Sequence, residues 1–218
     1  MDTLIAIATV ALLSLTAGEV HAQVLAGAAL GASHQAAGNS DSSYLGPGFG
    51  GTSLAGIGMI DVGVGRRTTV GGEVSLAGDI TGTQNQRAPG GSNAFVSAHH
   101  DTVFSGVVKI GAPLDRRVRA SGVIGGGIAQ RRTERDGTFV PFSPPFPTLA
   151  PFHASLSDYV LALAVGFDIA VGLTDHAALV GVGRLYQLKD DDRDASGVVH
   201  RGVSSTIVRY GGGLQLRF

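Results

Sequence analysis

The carboxyl-terminal segment, residues 210–218, alternates strictly between two kinds of position. One set is apolar and ends in an aromatic residue, and it consists of Tyr210, Gly212, Leu214, Leu216 and Phe218. The other set is small or polar, and it consists of Gly211, Gly213, Gln215 and Arg217. Because successive side chains of a β-strand point to opposite sides of the sheet, this segment predicts a strand with one apolar face and one face that tolerates charge.

The same alternation recurs in seven earlier segments, so the sequence predicts eight strands in all. It is clearest in the sixth, where every second residue from Tyr159 to Val171 is large and apolar. The positions between them carry a single charge, Asp168. The predicted strands span residues 24–34, 52–64, 69–80, 94–112, 118–131, 159–171, 177–188 and 205–218.

The connections between these segments alternate between long and short. Tight turns are predicted at residues 65–68, 113–117 and 173–176. Long polar loops are predicted at residues 35–51, 81–93 and 132–156, and a charged loop precedes the last strand. With an even number of antiparallel strands, both ends of the chain and all three turns lie at the same end of the sheet.

The amino-acid composition excludes several kinds of site and partner. The chain has no cysteine, which excludes a disulfide framework and a thiolate metal site. Its 34 glycines alternate with aliphatic residues, as in the wall of a tightly curved barrel. Sixteen basic residues stand against 17 acidic ones, so there is no electrostatic case for binding nucleic acid. No cofactor is implied.

Taken together, the alternating segments and the terminal aromatic resemble the small bacterial outer-membrane β-barrels of the OmpA transmembrane, OmpX and opacity-protein type. The resemblance implies an all-β fold: an eight-stranded antiparallel transmembrane up-and-down barrel with contacts to outer-membrane lipids and lipopolysaccharide. It also implies that the closing strand, through Tyr210, Leu214, Leu216 and Phe218, is the signal read by the barrel assembly machinery. One departure is the aromatic girdle, which must be sparse because the chain has no Trp and four Tyr.

Residues 1–22 predict a signal peptide for export. An apolar run from Leu4 to Ala17 is followed by modest side chains at Val20 and Ala22, which suit cleavage before Gln23. The alternative is a short membrane anchor. Cleavage would leave residues 23–218 as the barrel domain, and we expect that domain to reside in the outer membrane.

If the apolar face meets lipid, the opposite face directs charged side chains into a narrow lumen. Eight strands leave room there only for side chains. Opposite charges should pair, so we expect a salt-bridged plug, chiefly of Glu73 and Asp168 with Arg119, Arg184 and Arg209. The alternative is charges solvated by trapped water. The predicted lumen charges are Asp61, Glu73, Asp79, Asp101, Lys109, Arg119, Arg131, Asp168, Arg184, Arg209 and Arg217.

Catalytic and metal sites receive little support from the sequence. His99 and Asp101 share the lumen face of one strand, and Ser97 is the candidate nucleophile beside them. No motif of an outer-membrane enzyme accompanies them, so we expect no enzyme. The acidic run at residues 190–194 lacks the spacing of a calcium loop, and we expect no metal site.

A loop rich in phenylalanine and proline stands out in a region that should be exposed to water. Residues 139–152 contain Phe139, Phe142, Phe146 and Phe152 together with five prolines. Proline removes backbone donors, so we expect an extended segment and no added strand. Exposed apolar patches usually mark interaction sites, and these four aromatics are the candidate surface-interaction residues. The alternative is that they pack against the other loops without a partner.

The leading functional hypothesis is an outer-membrane barrel with a structural or surface-interaction role exerted through its extracellular loops on an unknown surface ligand. One alternative is a channel for small hydrophobic molecules, similar to OmpW-type barrels. Another is a barrel enzyme that modifies lipid A.

Overall fold

The computed structural model describes residues 23–35, 50–88, 91–114, 117–141, 150–189, 192–193, 199–200 and 205–218. The predicted signal peptide lies outside these residues. No helix in the described ranges is long and apolar enough to cross a membrane. The strands are β1 (Val24–Gln35), β2 (Gly51–Gly63), β3 (Thr68–Ala77), β4 (Ile80–Ala88), β5 (Gly91–Pro113), β6 (Val118–Pro141), β7 (Ala150–Gly172), β8 (Ala177–Lys189), β9 (Asp192–Arg193), β10 (Val199–His200) and β11 (Ser205–Arg217).

Antiparallel pairing closes the long strands into a barrel. The ring runs β1, β2, β3, β5, β6, β7, β8 and β11, and β11 pairs with β1 to complete it. The short strand β4 continues β3, because both pair with β5, β3 along residues 102–110 and β4 along residues 91–99. The short strands β9 and β10 pair only with each other. The barrel therefore has eight strand positions, which confirms the predicted fold class.

All eight predicted strands are present, and the three predicted turns lie between β2 and β3, β5 and β6, and β7 and β8. The predicted long loops at residues 81–93 and 132–156 are partly wrong. β4 and the start of β5 fill most of the first, and β6 and β7 extend far into the second. The sequence did not predict these extensions because, beyond the apolar band, the segments do not continue the alternation of large apolar side chains.

Residues Gly78 and Asp79 interrupt the third strand position and reverse the alternation beyond them. The sequence predicted that Ile80 shares a face with Val74 and Leu76. Those two side chains face outward, whereas Ile80 is buried. Two residues without regular pairing separate β3 from β4, and this break shifts the phase by one position. Asp79 is exposed for the same reason and is not a lumen charge as predicted.

The outer surface of the barrel is apolar and the inner surface is not. On β7 the outward Leu161 and Leu163 are 64% and 66% exposed, whereas the inward Ala162 and Ala164 are 2% and 1% exposed. The terminal strand behaves likewise, with Leu216 47% exposed. A water-soluble domain would bury such residues, so this distribution matches a barrel that is surrounded by lipid.

Several glycines allow neighbouring strands to approach closely. A Cβ added to Gly127 on β6 would lie 1.8 Å from the Phe104 carbonyl oxygen of β5. A Cβ added to Gly213 on β11 would lie 1.8 Å from the Ala28 carbonyl oxygen of β1. By contrast, a Cβ added to Gly122, also on β6, would meet nothing within 4 Å. Glycine is therefore needed at Gly127 and Gly213, because a side chain there would overlap the backbone of the neighbouring strand.

Four strands extend beyond the rest of the barrel at the end opposite the three turns. They form a sheet of residues 80–88, 91–99, 133–141 and 150–160, which we call the projecting sheet. β7 pairs with β8 only from Leu161 to Gly172, so residues 150–160 pair with β6 alone. β4 has β5 as its one partner in the sheet order of the described strands. Among the described strands, the projecting sheet therefore has one unpaired edge at β4 and another at residues 150–160.

Candidate functional site

Five charged side chains from five strands meet inside the barrel. Asp61 comes from β2, Glu73 from β3, Lys109 from β5, Asp168 from β7 and Arg184 from β8. All five are buried. We call this group the charge cluster. Each residue was predicted to face the lumen, and the barrel closure brings them into mutual contact.

Lys109 is the centre of the charge cluster. Its Nζ atom lies 2.9 Å from Asp61 Oδ2, 3.0 Å from Glu73 Oε1 and 3.0 Å from Asp168 Oδ2. Three carboxylates from three strands therefore converge on one ammonium group. Since all three carboxylates are buried, each would be costly to hold there without that cation.

Arg184 binds two of the same carboxylates, those of Glu73 and Asp168. Its Nε donates to Glu73 Oε2 at 2.8 Å and its Nη2 donates to Glu73 Oε1 at 2.5 Å, so the pair is bidentate. Its Nη1 donates to Asp168 Oδ1 at 2.6 Å. Glu73 and Asp168 each bridge Arg184 and Lys109, which makes the cluster one continuous network.

Arg209 lies in the lumen, and among the described residues no carboxylate forms an ion pair with it. Its donors reach the Ser75 carbonyl and hydroxyl oxygens at 2.7 Å, the Asp101 carbonyl oxygen at 2.8 Å and the Ser33 hydroxyl at 3.2 Å. The guanidinium carbon also lies 5.5 Å from the centre of the Tyr186 ring, within cation–π range. The predicted pairing of Arg209 with Glu73 or Asp168 is therefore wrong, because neutral oxygens satisfy it instead.

Arg119 lies nearer the turns and outside the charge cluster. It lines a cavity of about 350 Å³ that also contacts Lys109, Asp61 and Asp168 from below. Within the described ranges its guanidinium makes no ion pair, so its predicted place in the plug is wrong. Arg217, another predicted lumen charge, lines the same cavity and is exposed at the end of β11.

Two solved structures share this arrangement of strands. Ail, the attachment invasion locus protein of Yersinia pestis, is 8% identical, and the match covers 90% of this chain and 99% of that chain with a TM-score of 0.50. A major outer membrane protein from Thermus thermophilus is 16% identical, and the match covers 90% of this chain and 99% of that chain with a TM-score of 0.54. The chain has the fold of the outer-membrane β-barrels. No family model and no curated protein sequence matches it.

A second group of polar side chains lies inside the barrel, farther from the three turns than the charge cluster. His99 is buried, its Nε2 lies 3.3 Å from Asp101 Oδ2, and its Nδ1 lies 2.9 Å from the Thr133 hydroxyl. Arg131 Nε lies 3.4 Å from Asp101 Oδ1, and its Nη2 donates to the Ser205 hydroxyl at 2.6 Å. The sequence placed His99 and Asp101 together but missed Thr133, because cross-strand register decides which hydroxyl reaches the ring.

This arrangement pairs His99, Asp101 and Arg131 with one another and with neighbouring hydroxyl groups. The side chain of the predicted nucleophile, Ser97, lies outside the described set. Thr133 hydrogen-bonds to a histidine that a carboxylate also contacts. Within those ranges, no three metal-binding side chains converge to hold an ion.

Two of the four candidate surface residues, Phe139 and Phe152, lie in described strands near the tip of the projecting sheet. Phe139 is the last residue of β6 that pairs with β7, opposite Ala150, and its side chain is half-buried. Phe152 lies in β7 opposite Gly137. Phe142 and Phe146 lie outside the described residues. The sequence predicted that residues 139–152 add no strand. The described ends of this segment, residues 139–141 and 150–152, continue β6 and β7, which is compatible with that prediction.

A histidine–aspartate pair joins the two strands of this hairpin. His153 Nδ1 lies 2.6 Å from Asp136 Oδ1 on the exposed surface of the projecting sheet. The hydrogen bond and the negative charge of Asp136 raise the pKa of His153 above its ordinary value. The pair is therefore strongest when His153 is protonated.

The predicted assembly-signal residues lie on the outward face of β11. Tyr210 is 56% exposed, Leu214 is 54% exposed and Phe218 is 73% exposed. β11 pairs with both β8 and β1, so it is the strand that closes the barrel. Its outward side chains are accessible to lipid.

Proposed function

We propose that this protein is an integral outer-membrane β-barrel, closed to ions by its charge cluster, with a surface-interaction role exerted by its projecting sheet. One observation carries the proposal: an apolar outer surface encloses a lumen crossed by buried ion pairs. The proposal places the three short turns in the periplasm and the projecting sheet outside the cell. Residues 1–22 would then direct export and be removed.

The partners follow from this location. The outward apolar side chains would contact outer-membrane lipids and lipopolysaccharide. Tyr210, Leu214, Leu216 and Phe218 would present the closing strand to the barrel assembly machinery. The fold likeness to outer-membrane barrels supports both proposals, and we propose no nucleic-acid partner.

The closed lumen has a direct electrical test. We expect the wild-type barrel to give no large, steady current in planar bilayers, because Lys109 and Arg184 hold side chains from three other strand positions across the lumen. Replacing Lys109→Ser removes the central cation and leaves three carboxylates facing each other. This variant should show discrete, cation-selective openings. A steady wild-type current would refute the plug.

A conduit for hydrophobic molecules is the alternative, and the geometry favours it less. Such a path needs an apolar lumen or a gap between strands. The middle of this lumen is charged, and every neighbouring pair of strands in the described ring is hydrogen-bonded. We likewise propose no catalytic activity.

The surface role rests on the free edges of the projecting sheet. Among the described strands, the backbone of residues 150–160 pairs on one side only, and we propose that the N–H and C=O groups of its other side are open to a partner. An extended segment of a partner protein could add to this edge by backbone hydrogen bonding. The aromatic residues at the tip, Phe139 and Phe152 among them, would add apolar contacts.

Removing the tip tests this role. Deletion of residues 139–152 joins two strands that already pair, so the barrel should fold and still migrate differently in detergent gels before and after boiling. We expect bacteria that display the truncated protein to lose adhesion to cultured epithelial cells and to neighbouring bacteria.

A matched deletion in the connection between β8 and β11 is the control, because it shortens another long loop and leaves the projecting sheet whole. Adhesion should survive in that variant. If full-length protein confers no adhesion, or if both deletions reduce it equally, the surface role assigned to the projecting sheet is wrong.

A further inference from the structure

Outward-facing polar side chains pair across strands around the barrel, and we call these pairs the polar belt. Each lies on a different pair of neighbouring strand positions, so together they involve all eight. The pairs are His34 Nδ1 with the Thr52 hydroxyl at 3.1 Å, His100 Nδ1 with Asp79 Oδ1 at 2.8 Å, Gln130 Nε2 with the Ser157 hydroxyl at 3.5 Å, and the Thr206 hydroxyl with Gln187 Oε1 at 3.0 Å.

The polar belt lies where the apolar band ends. On four strands, the next outward residue toward the turns is a large exposed apolar side chain. These residues are Leu54 below Thr52, Ile128 below Gln130, Leu185 below Gln187 and Val208 below Thr206, with exposures of 83%, 46%, 40% and 37%. The change from apolar to polar is therefore abrupt, and it coincides with the hydrogen-bonded pairs.

The position of the polar belt is one that aromatic residues usually fill. Trp and Tyr are enriched at membrane interfaces because their rings are amphipathic. This chain has no Trp and only four Tyr. The paired side chains offer polar atoms to a hydrated headgroup layer and, through their mutual hydrogen bonds, reduce the cost of partial dehydration.

We infer that the polar belt contacts the headgroup layer of the outer leaflet and sets the depth at which the barrel sits in the membrane. Immersing the belt would transfer four polar pairs into hydrocarbon, whereas raising it would expose the apolar ring below to water. Both displacements cost free energy, so the barrel has a preferred depth. This inference rests on the proposed membrane location.

The absence of cysteine permits a clean measurement of depth. A nitroxide attached at Lys189→Cys would report from the exposed end of β8, two residues beyond Gln187. In phosphatidylcholine vesicles, its collisions with oxygen and with a water-soluble nickel chelate are compared by electron paramagnetic resonance. The Gln187→Met, Thr206→Val double variant removes one belt pair with little change in side-chain size.

We expect the oxygen-to-nickel collision ratio at this label to rise about twofold in the double variant, because the barrel can sink toward the new apolar surface. His34→Leu with Thr52→Val removes a second pair and should raise the ratio in the same direction. Leu185→Met is the matched control, since it changes a neighbouring outward residue within the apolar band. That control should leave the ratio unchanged.

The outcomes separate the inference from the proposed function. If all variants insert into vesicles and fold but the ratio does not change, the polar belt does not set depth, and the membrane location stands. If the wild-type protein does not float with the vesicles in a sucrose gradient, the barrel does not insert, and both proposals are overturned.

Discussion

Replacing Arg184→Met should lower the free energy of unfolding by about 3–5 kcal/mol, because it leaves Glu73 and Asp168 with less compensating charge in a buried site. Arg184 is 1% exposed and donates to both carboxylates. The measurement is urea-induced unfolding of the barrel in lipid vesicles, followed by circular dichroism. Methionine keeps much of the side-chain volume, so the loss reports on charge more than on packing.

Arg132→Met is the matched control for this substitution. Arg132 also forms an ion pair, with Glu134 at 2.6 Å, but its side chain is 51% exposed. Water screens such a pair, so we expect a loss of about 0.5 kcal/mol or less. Equal losses for the two variants would mean that the charge cluster contributes no more than a surface pair.

The second large effect concerns Gly127. Gly127→Ala should destabilise the barrel by about 3 kcal/mol or prevent folding, because the new methyl group would overlap the Phe104 carbonyl oxygen and force β5 and β6 apart. The obstacle is backbone, which cannot move aside as a flexible side chain can. The fraction of protein that folds into vesicles, seen as heat-modifiable migration, measures the effect.

Gly122→Ala on the same strand supplies the comparison. Its added methyl group would meet nothing within 4 Å, so we expect stability to be unchanged or to rise by about 0.5 kcal/mol from the reduced freedom of the unfolded chain. Normal folding of Gly127→Ala would show that strands β5 and β6 do not need their close approach.

The two-residue alternation was enough to predict the eight strands and the direction of most charged side chains. Asp61, Glu73, Lys109, Asp168 and Arg184 all face the lumen as expected. This succeeds because lipid imposes one simple rule on the outer face of every strand. The fold class follows from that rule with no knowledge of partners.

Which lumen charges meet depends on register and on the stagger between strands, which alternation does not encode. Lys109 contacts residues of β2, β3 and β7, a grouping that exists only after closure. Arg209 and Arg119 look equivalent to Arg184 in the sequence. Arg209 donates to neutral oxygens, and Arg119 lies nearer the turns than the charge cluster does.

The sequence also did not predict how far the strands extend past the apolar band. Residues 133–141 show no alternation of apolar side chains, and in residues 150–158 the apolar side chains are out of phase with those of residues 159–171, so neither segment reads as a continuation of its strand. The polar belt was missed for a related reason. Its residues are far apart in sequence, and single polar side chains near strand ends carry no sign of their partners.

The interruption at Gly78 and Asp79 has a consequence for how such a chain can change over evolutionary time. Inserting or deleting one residue within a continuous barrel strand turns every later side chain to the wrong side. Here Gly78 and Asp79 already separate β3 from β4, and the alternation of inward and outward side chains differs by one position between the two strands. Length variation is therefore best tolerated at this point, where the rim can be remodelled while Glu73 and its partners below keep their places.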